Sequence, residues 1–103
     1  MSLQSSNIST TTSSVYSSSG STAALTFYFA NYSTTTNATF SLWAVSSGNS
    51  PSNINVLYRN VTVLAGDTYV ADSERLFLEN GDELYARANA NNAISMTLTF
   101  TTV

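Results

Sequence analysis

The sequence predicts an all-β protein, an antiparallel two-sheet β-sandwich of about seven to eight short strands with jelly-roll or immunoglobulin-like connections. Three observations carry this expectation. Runs rich in aromatic and β-branched residues alternate apolar with polar at period two, none keeps helical spacing, and Gly, Asn, Asp and Pro punctuate them at short intervals. At 103 residues and 43% hydrophobic, the chain suits one small domain with one core.

Residues 1–22 are mostly Ser and Thr, and Leu3, Ile8, Val15 and Tyr16 supply most of the apolar surface before Gly20. That is little to anchor an independent element, so the segment reads as an N-terminal polar arm ordered by a neighbouring subunit, with residues 23–103 as the β-sandwich domain. On this reading the domain folds without its first twenty residues. The alternative is an edge strand of the same domain holding Ile8 and Val15.

From Ala23 to Ala30, Leu25, Phe27 and Phe29 share one face and Thr26 and Tyr28 the other, which is the pattern of a strand. A polar loop over 31–37 follows. Ala38 to Val45 resumes with Phe40, Leu42 and Ala44 alternating against Ser41, Trp43 and Val45. Both faces carry apolar residues, which suits an interior strand or one whose outer face meets a partner. Residues 46–53 concentrate turn formers around Gly48 and Pro51. Ile54, Val56 and Tyr58 then alternate with Asn55, Leu57 and Arg59, and Val61 and Val63 fall back into phase across a bulge at Asn60. After the turn Ala65-Gly66-Asp67 comes a short strand, Thr68-Tyr69-Val70, and an irregular stretch over 71–74. Leu76 and Leu78, a turn at Asn80-Gly81-Asp82, and Leu84, Ala86 and Ala88 read as a hairpin. The terminal run places Ile94, Met96, Leu98 and Phe100 on a dry face and Ser95, Thr97, Thr99 and Thr101 on a wet one.

The chemistry available is narrow. With no Cys, His or Lys, the Ser–His, Cys–His and Ser–Lys nucleophile pairs and zinc sites of Cys and His cannot be built, so no catalytic residue and no cofactor is expected. The net charge is −3, with Arg59, Arg75 and Arg87 the only cations, so there is no basic stripe for nucleic acid. The N-terminus lacks the charged and apolar regions of a secretory signal, and no apolar run reaches the ~20 residues of a membrane helix. Ser, Thr and Asn fill 44 positions, so sequons at Asn7, Asn31, Asn37 and Asn60 are expected by chance. All charged side chains lie between Arg59 and Arg87, and a surface so dominated by neutral hydroxyls and amides suits a secreted protein or a subunit that works in an assembly.

Six carboxylates, Asp67, Asp72, Glu74, Glu79, Asp82 and Glu83, are close enough in sequence to suggest a glycosidase pair, but Asp67 and Asp82 follow Gly in turns, where a short acceptor caps the backbone. Glu79, Asn80 and Asp82 could offer hard oxygens to calcium, although their spacing matches no EF-hand, and no metal site is expected. Among the aromatics, Phe27, Phe29, Phe40 and Phe100 belong to the core by alternation. Tyr28, Tyr32, Trp43 and Tyr58 are open to partner contact, as are Leu3, Ile8, Val15 and Tyr16 in the arm.

The stretch Leu76-Phe77-Leu78-Glu79-Asn80-Gly81-Asp82-Glu83-Leu84-Tyr85-Ala86-Arg87-Ala88, followed by Asn91-Asn92 and an alternating terminal strand, resembles small β-sandwich virion structural proteins of tailed bacteriophages. Val61-Thr62-Val63-Leu64-Ala65-Gly66-Asp67 is in the same style, so the similarity covers roughly the second half of the chain, and residues 1–50 contain no such motif. The resemblance implies a virion component without catalytic residues: a capsid decoration (cement) protein that is a homo-oligomer such as a trimer and contacts the major capsid protein. A tail or fibre subunit facing the host surface is the first alternative. A carbohydrate-binding module stacking sugars on Trp43, Tyr32 and Tyr58 is the second.

Overall fold

The computed structural model describes residues 2–71 and 76–102, apart from the side chains of Ser2, Ala24 and Leu25. Nine strands and no helix form among them: β1 (Ser2–Ile8), β2 (Ser13–Ser17), β3 (Thr22–Asn31), β4 (Ala38–Val45), β5 (Val56–Val63), β6 (Thr68–Ala71), β7 (Leu76–Leu78), β8 (Glu83–Ala88) and β9 (Ile94–Thr102). They make two antiparallel sheets. The first runs β1-β9-β3, with β6 and β7 sharing the far edge of β3, and the second runs β2-β8-β4-β5. The irregular stretch expected after β6 lies largely outside the described residues.

The pairing is nested: β1 with β9, β2 with β8, β3 with β6 and β7, β4 with β5. Such an order arises when one long hairpin is rolled up so that its tiers alternate between two sheets, which is the jelly roll and not the immunoglobulin arrangement. Only β4 and β5 both neighbour each other in sequence and pair. The hairpin expected over residues 76–88 is therefore corrected. The reversal itself is present, with Asp82 N–H donating to Glu79 C=O at 3.0 Å and Gly81 at φ +90°, but β7 joins the first sheet and β8 the second. Leu78 and Leu84 do face one core, from opposite sides.

The expected arm is corrected as well. Residues 2–8 pair with β9 over seven positions, and residues 13–17 pair with β8, so each segment is an edge strand of its sheet. Ile8 is 1% exposed, and Val15 and Tyr16 are buried in the same core. A register shift between Ser14 and Tyr16 explains how two consecutive residues both turn inward: the bulge adds one residue to β2 and resets its alternation. The Tyr16 hydroxyl donates to Thr22 Oγ1 at 3.2 Å, which keeps that burial satisfied.

Across the core, Phe29 of β3 stacks on Phe40 of β4 with ring centroids 3.8 Å apart and planes at 9°. Tyr69 of β6 and Tyr58 of β5 close round Phe40 at 5.6 and 6.2 Å, so rings from both sheets interdigitate at one end of the sandwich. The strict alternation of β9 delivers Ile94, Met96 and Leu98 into the same core as expected, with Met96 beside Phe29 in the register and Leu84 and Ala86 of β8 contributed by the other sheet.

Asn31 ends β3 and ties three segments together. Its buried side-chain amide donates to the carbonyls of Thr36 and Val63, both at 2.9 Å, while its Oδ1 accepts from Ser33 N–H at 3.0 Å. The chance sequon at Asn31 therefore has its nitrogen committed inside the fold.

Because Ile8 is wholly buried at the β1–β9 edge, Ile8→Ala should lower stability by about 2–5 kcal/mol in urea denaturation. Deleting residues 1–17 should leave no cooperative unfolding transition, opposite to the behaviour of a detachable arm.

Candidate functional site

The outer face of the second sheet carries an open groove of about 430 Å³. Its floor is set by strand pairing. Trp43 of β4 lies directly opposite Tyr85 of β8, and Ser41 lies opposite Arg87, so two cross-strand rungs place two aromatic rings and a guanidinium side by side. The neighbouring residues Leu42 and Ala86 point the other way, into the core. Alternation on both strands thus separates floor from core.

One wall depends on the bulge that the sequence places at Asn60. Phe40 pairs with Val61 but Leu42 pairs with Tyr58, leaving Arg59 and Asn60 opposite Ser41 alone. Asn60 has φ +50°, a left-handed conformation that Asn tolerates, and its N–H donates to Ser41 Oγ at 3.0 Å. The extra residue lets Tyr58 and Val61 both pack on the core while Arg59 turns outward to line the groove.

On the side of Arg59 the β4–β5 connection lines the groove through Pro51, Ser52 and Asn53, and Thr12 of the β1–β2 connection lines it from beyond β8. The β4–β5 connection is pinned by the side chain and backbone of Asn55: Nδ2 donates to Ser50 C=O at 2.9 Å, Oδ1 accepts from Ser52 N–H at 2.8 Å, and its carbonyl accepts from Ala44 N–H at 3.1 Å. Asn53 Oδ1 accepts from Arg59 Nη1 at 2.6 Å, tying this connection to β5. No carboxylate lines the groove among the described residues. Glu83, two positions before Tyr85, accepts from Ser14 Oγ at 2.6 Å.

The eight residues expected to touch a partner do not form one surface. Ile8, Val15 and Tyr16 belong to the core, and Tyr58 packs its ring against Phe40 and Tyr69, so these four are corrected to structural roles. Leu3, Tyr28 and Tyr32 lie on or beside the outer face of the first sheet, where the Tyr32 hydroxyl donates to Asn7 Oδ1 at 2.9 Å. Trp43 alone reaches the groove. The sugar-stacking trio Trp43, Tyr32 and Tyr58 is thus divided between three places. Tyr85, Arg59 and Arg87 are the residues that join Trp43, and the signal for Tyr85 and Arg87 was their alternation against Leu84, Ala86 and Ala88.

The carboxylates serve the turns, as expected from their positions after Gly. Asp67 Oδ1 accepts from Thr68 N–H at 3.0 Å, and the Asp82 oxygens accept from Ser47 N–H at 3.0 Å and Glu79 N–H at 2.9 Å. Asn80 Oδ1 accepts from Gly20 N–H at 2.9 Å, so of the three residues considered for calcium Asn80 and Asp82 have side-chain oxygens engaged by backbone donors. Asp72 and Glu74 lie outside the described residues. Comparison with family models, curated proteins and solved structures finds no match to this chain.

The bulge supplies a test of how the groove is built. Asn60→Gly should leave stability within about 1 kcal/mol, whereas Asn60→Val, a β-branched residue at positive φ, should cost about 1–3 kcal/mol. Urea denaturation followed by Trp43 emission reads both.

Proposed function

We propose that the chain is a bacteriophage virion structural protein, a capsid decoration subunit that works by packing the outer face of its first sheet against neighbouring molecules. The observation that carries this reading is the charge content of that sheet. None of the residues of β1, β9, β3, β6 or β7 is charged. The charged residues assigned to strands, Arg59, Glu83 and Arg87, all belong to β5 and β8 of the second sheet.

Cross-strand register arranges this neutral face into rows. Ser5, Thr97, Tyr28 and Val70 form one row; Leu3, Thr99 and Thr26 form the next; Asn7, Ser95, Ala30 and Thr68 form a third. Leu3 is 70% exposed and Phe77 of β7 72% exposed, and Tyr28 and Val70 are also exposed. Ser and Thr hydroxyls interspersed with Tyr, Leu, Val and Phe desolvate at lower cost than charges, and an interface core is depleted of charge in the same way.

The sheet edges support the same reading. β1 presents seven residues along one edge with no Pro and no charge, and the strand residues of β6 and β7 at the other edge are uncharged as well. A soluble monomer ordinarily blunts such edges with Lys, Pro or bulges, because exposed N–H and C=O groups recruit further strands. Oligomeric packing covers them. The jelly roll is a fold used in viral shells as well as in lectins, and the resemblance of residues 61–103 to phage structural proteins favours the shell.

Light scattering on the purified protein should give an oligomer, and the double variant Leu3→Lys, Val70→Lys, at two exposed positions of this face, should be monomeric with stability changed by no more than about 0.5 kcal/mol per site. In virions separated into heads and tails, mass spectrometry should find the chain with heads. Recovery with tails alone would replace the decoration role by a tail role, and absence from particles would end the virion reading.

A further inference from the structure

We propose that the groove on the second sheet is a binding site for an acidic saccharide, a pyranose ring bearing a carboxylate. This goes beyond the assembly role, which belongs to the other face, and does not depend on it.

The chemistry of the groove selects the ligand. Trp43 and Tyr85 face each other across β4 and β8 and both are half-buried, so their rings are held in place yet remain accessible. Flat rings with polar rims suit the C–H-bearing face of a sugar, which is apolar while its edge is all hydroxyl. Around them stand Asn53, Ser52 and Thr12, uncharged groups that exchange hydrogen bonds with hydroxyls.

The charge in the groove is one-sided. Two of the three cations of an otherwise acidic chain line it, with no carboxylate among the described lining residues to neutralise them. Arg59 is oriented by Asn53 at 2.6 Å, and Arg87 has no hydrogen-bond or ion-pair partner among the described residues. A guanidinium with free donors matches a carboxylate through paired N–H···O bonds. A polyphosphate or a nucleic-acid strand would meet only two cations on a chain of net charge −3, which is too few to offset the repulsion. The volume of about 430 Å³ lies within the range of small-ligand sites.

Trp43 is the only tryptophan, so its emission reports the groove directly. The intact protein is titrated with sialyllactose and digalacturonate as acidic probes, lactose as the neutral counterpart, and thymidine monophosphate as a phosphate-bearing ring. The expected result is a saturable emission change with at least one acidic saccharide, about tenfold or more tighter than with lactose. Arg87→Gln should weaken it about tenfold with unchanged melting, Tyr85→Ala should weaken it about tenfold in a protein that still folds, and Tyr32→Phe on the other sheet should leave it unaltered. No saturable change with either acidic saccharide up to ~10 mM, equal affinity for lactose, or indifference to both groove substitutions would overturn the proposal. Tighter binding of thymidine monophosphate would overturn the saccharide in favour of a nucleotide. An oligomer that assembles normally yet ignores every sugar would remove this site and leave the virion reading intact.

Discussion

The pairing of the first strand with the last is the constraint on which the molecule rests. Because the tiers are nested, β9 is flanked by β1 and β3, and β8 by β2 and β4, so segments from the two ends of the chain complete both sheets. The closures lengthen from the β4–β5 pair outward to the β1–β9 pair, and most span long stretches of chain. Such a topology folds slowly, and it unfolds as one unit. The same nesting puts β4 and β8 in the interior of the second sheet, where both are fixed from two sides. A groove whose floor comes from those two strands inherits that rigidity.

Much of the fold was legible because period-two alternation is a direct record of which side chains face the core. The strand from Ala38 to Val45 has the expected limits, β9 alternates as read, and the phase change between Tyr58 and Val61 located the Asn60 bulge. What alternation does not encode is the sheet to which a strand belongs. Leu76, Leu78 and Leu84, Ala86 face the same core whether their strands pair or oppose, so residues 76–88 looked like a hairpin when they are a corner between sheets. The arm reading failed for a related reason. Ser and Thr on edge strands need few apolar partners, because β8 and β9 supply most of the buried surface beside them.

The site was legible only in fragments. Trp43 stood out by type, but its neighbour Tyr85 lies 42 positions away and is brought to it by register alone. Arg59 was read only as one of three cations and one step of an alternating run; its outward orientation follows from the bulge and the left-handed residue after it. Tyr58 and Tyr16, equally plausible by type, are held inside by ring contacts that no local pattern announces.

Keeping charge off the strands of the first sheet also separates how the two faces respond to their surroundings. Contacts made by β1, β9, β3, β6 and β7 involve no carboxylate, amine or guanidinium, so they release no counter-ions and feel no Debye screening. A shell joined through that surface would hold alike in fresh water and in brine, while anything gripped by the two arginines on the opposite side would loosen as salinity rises.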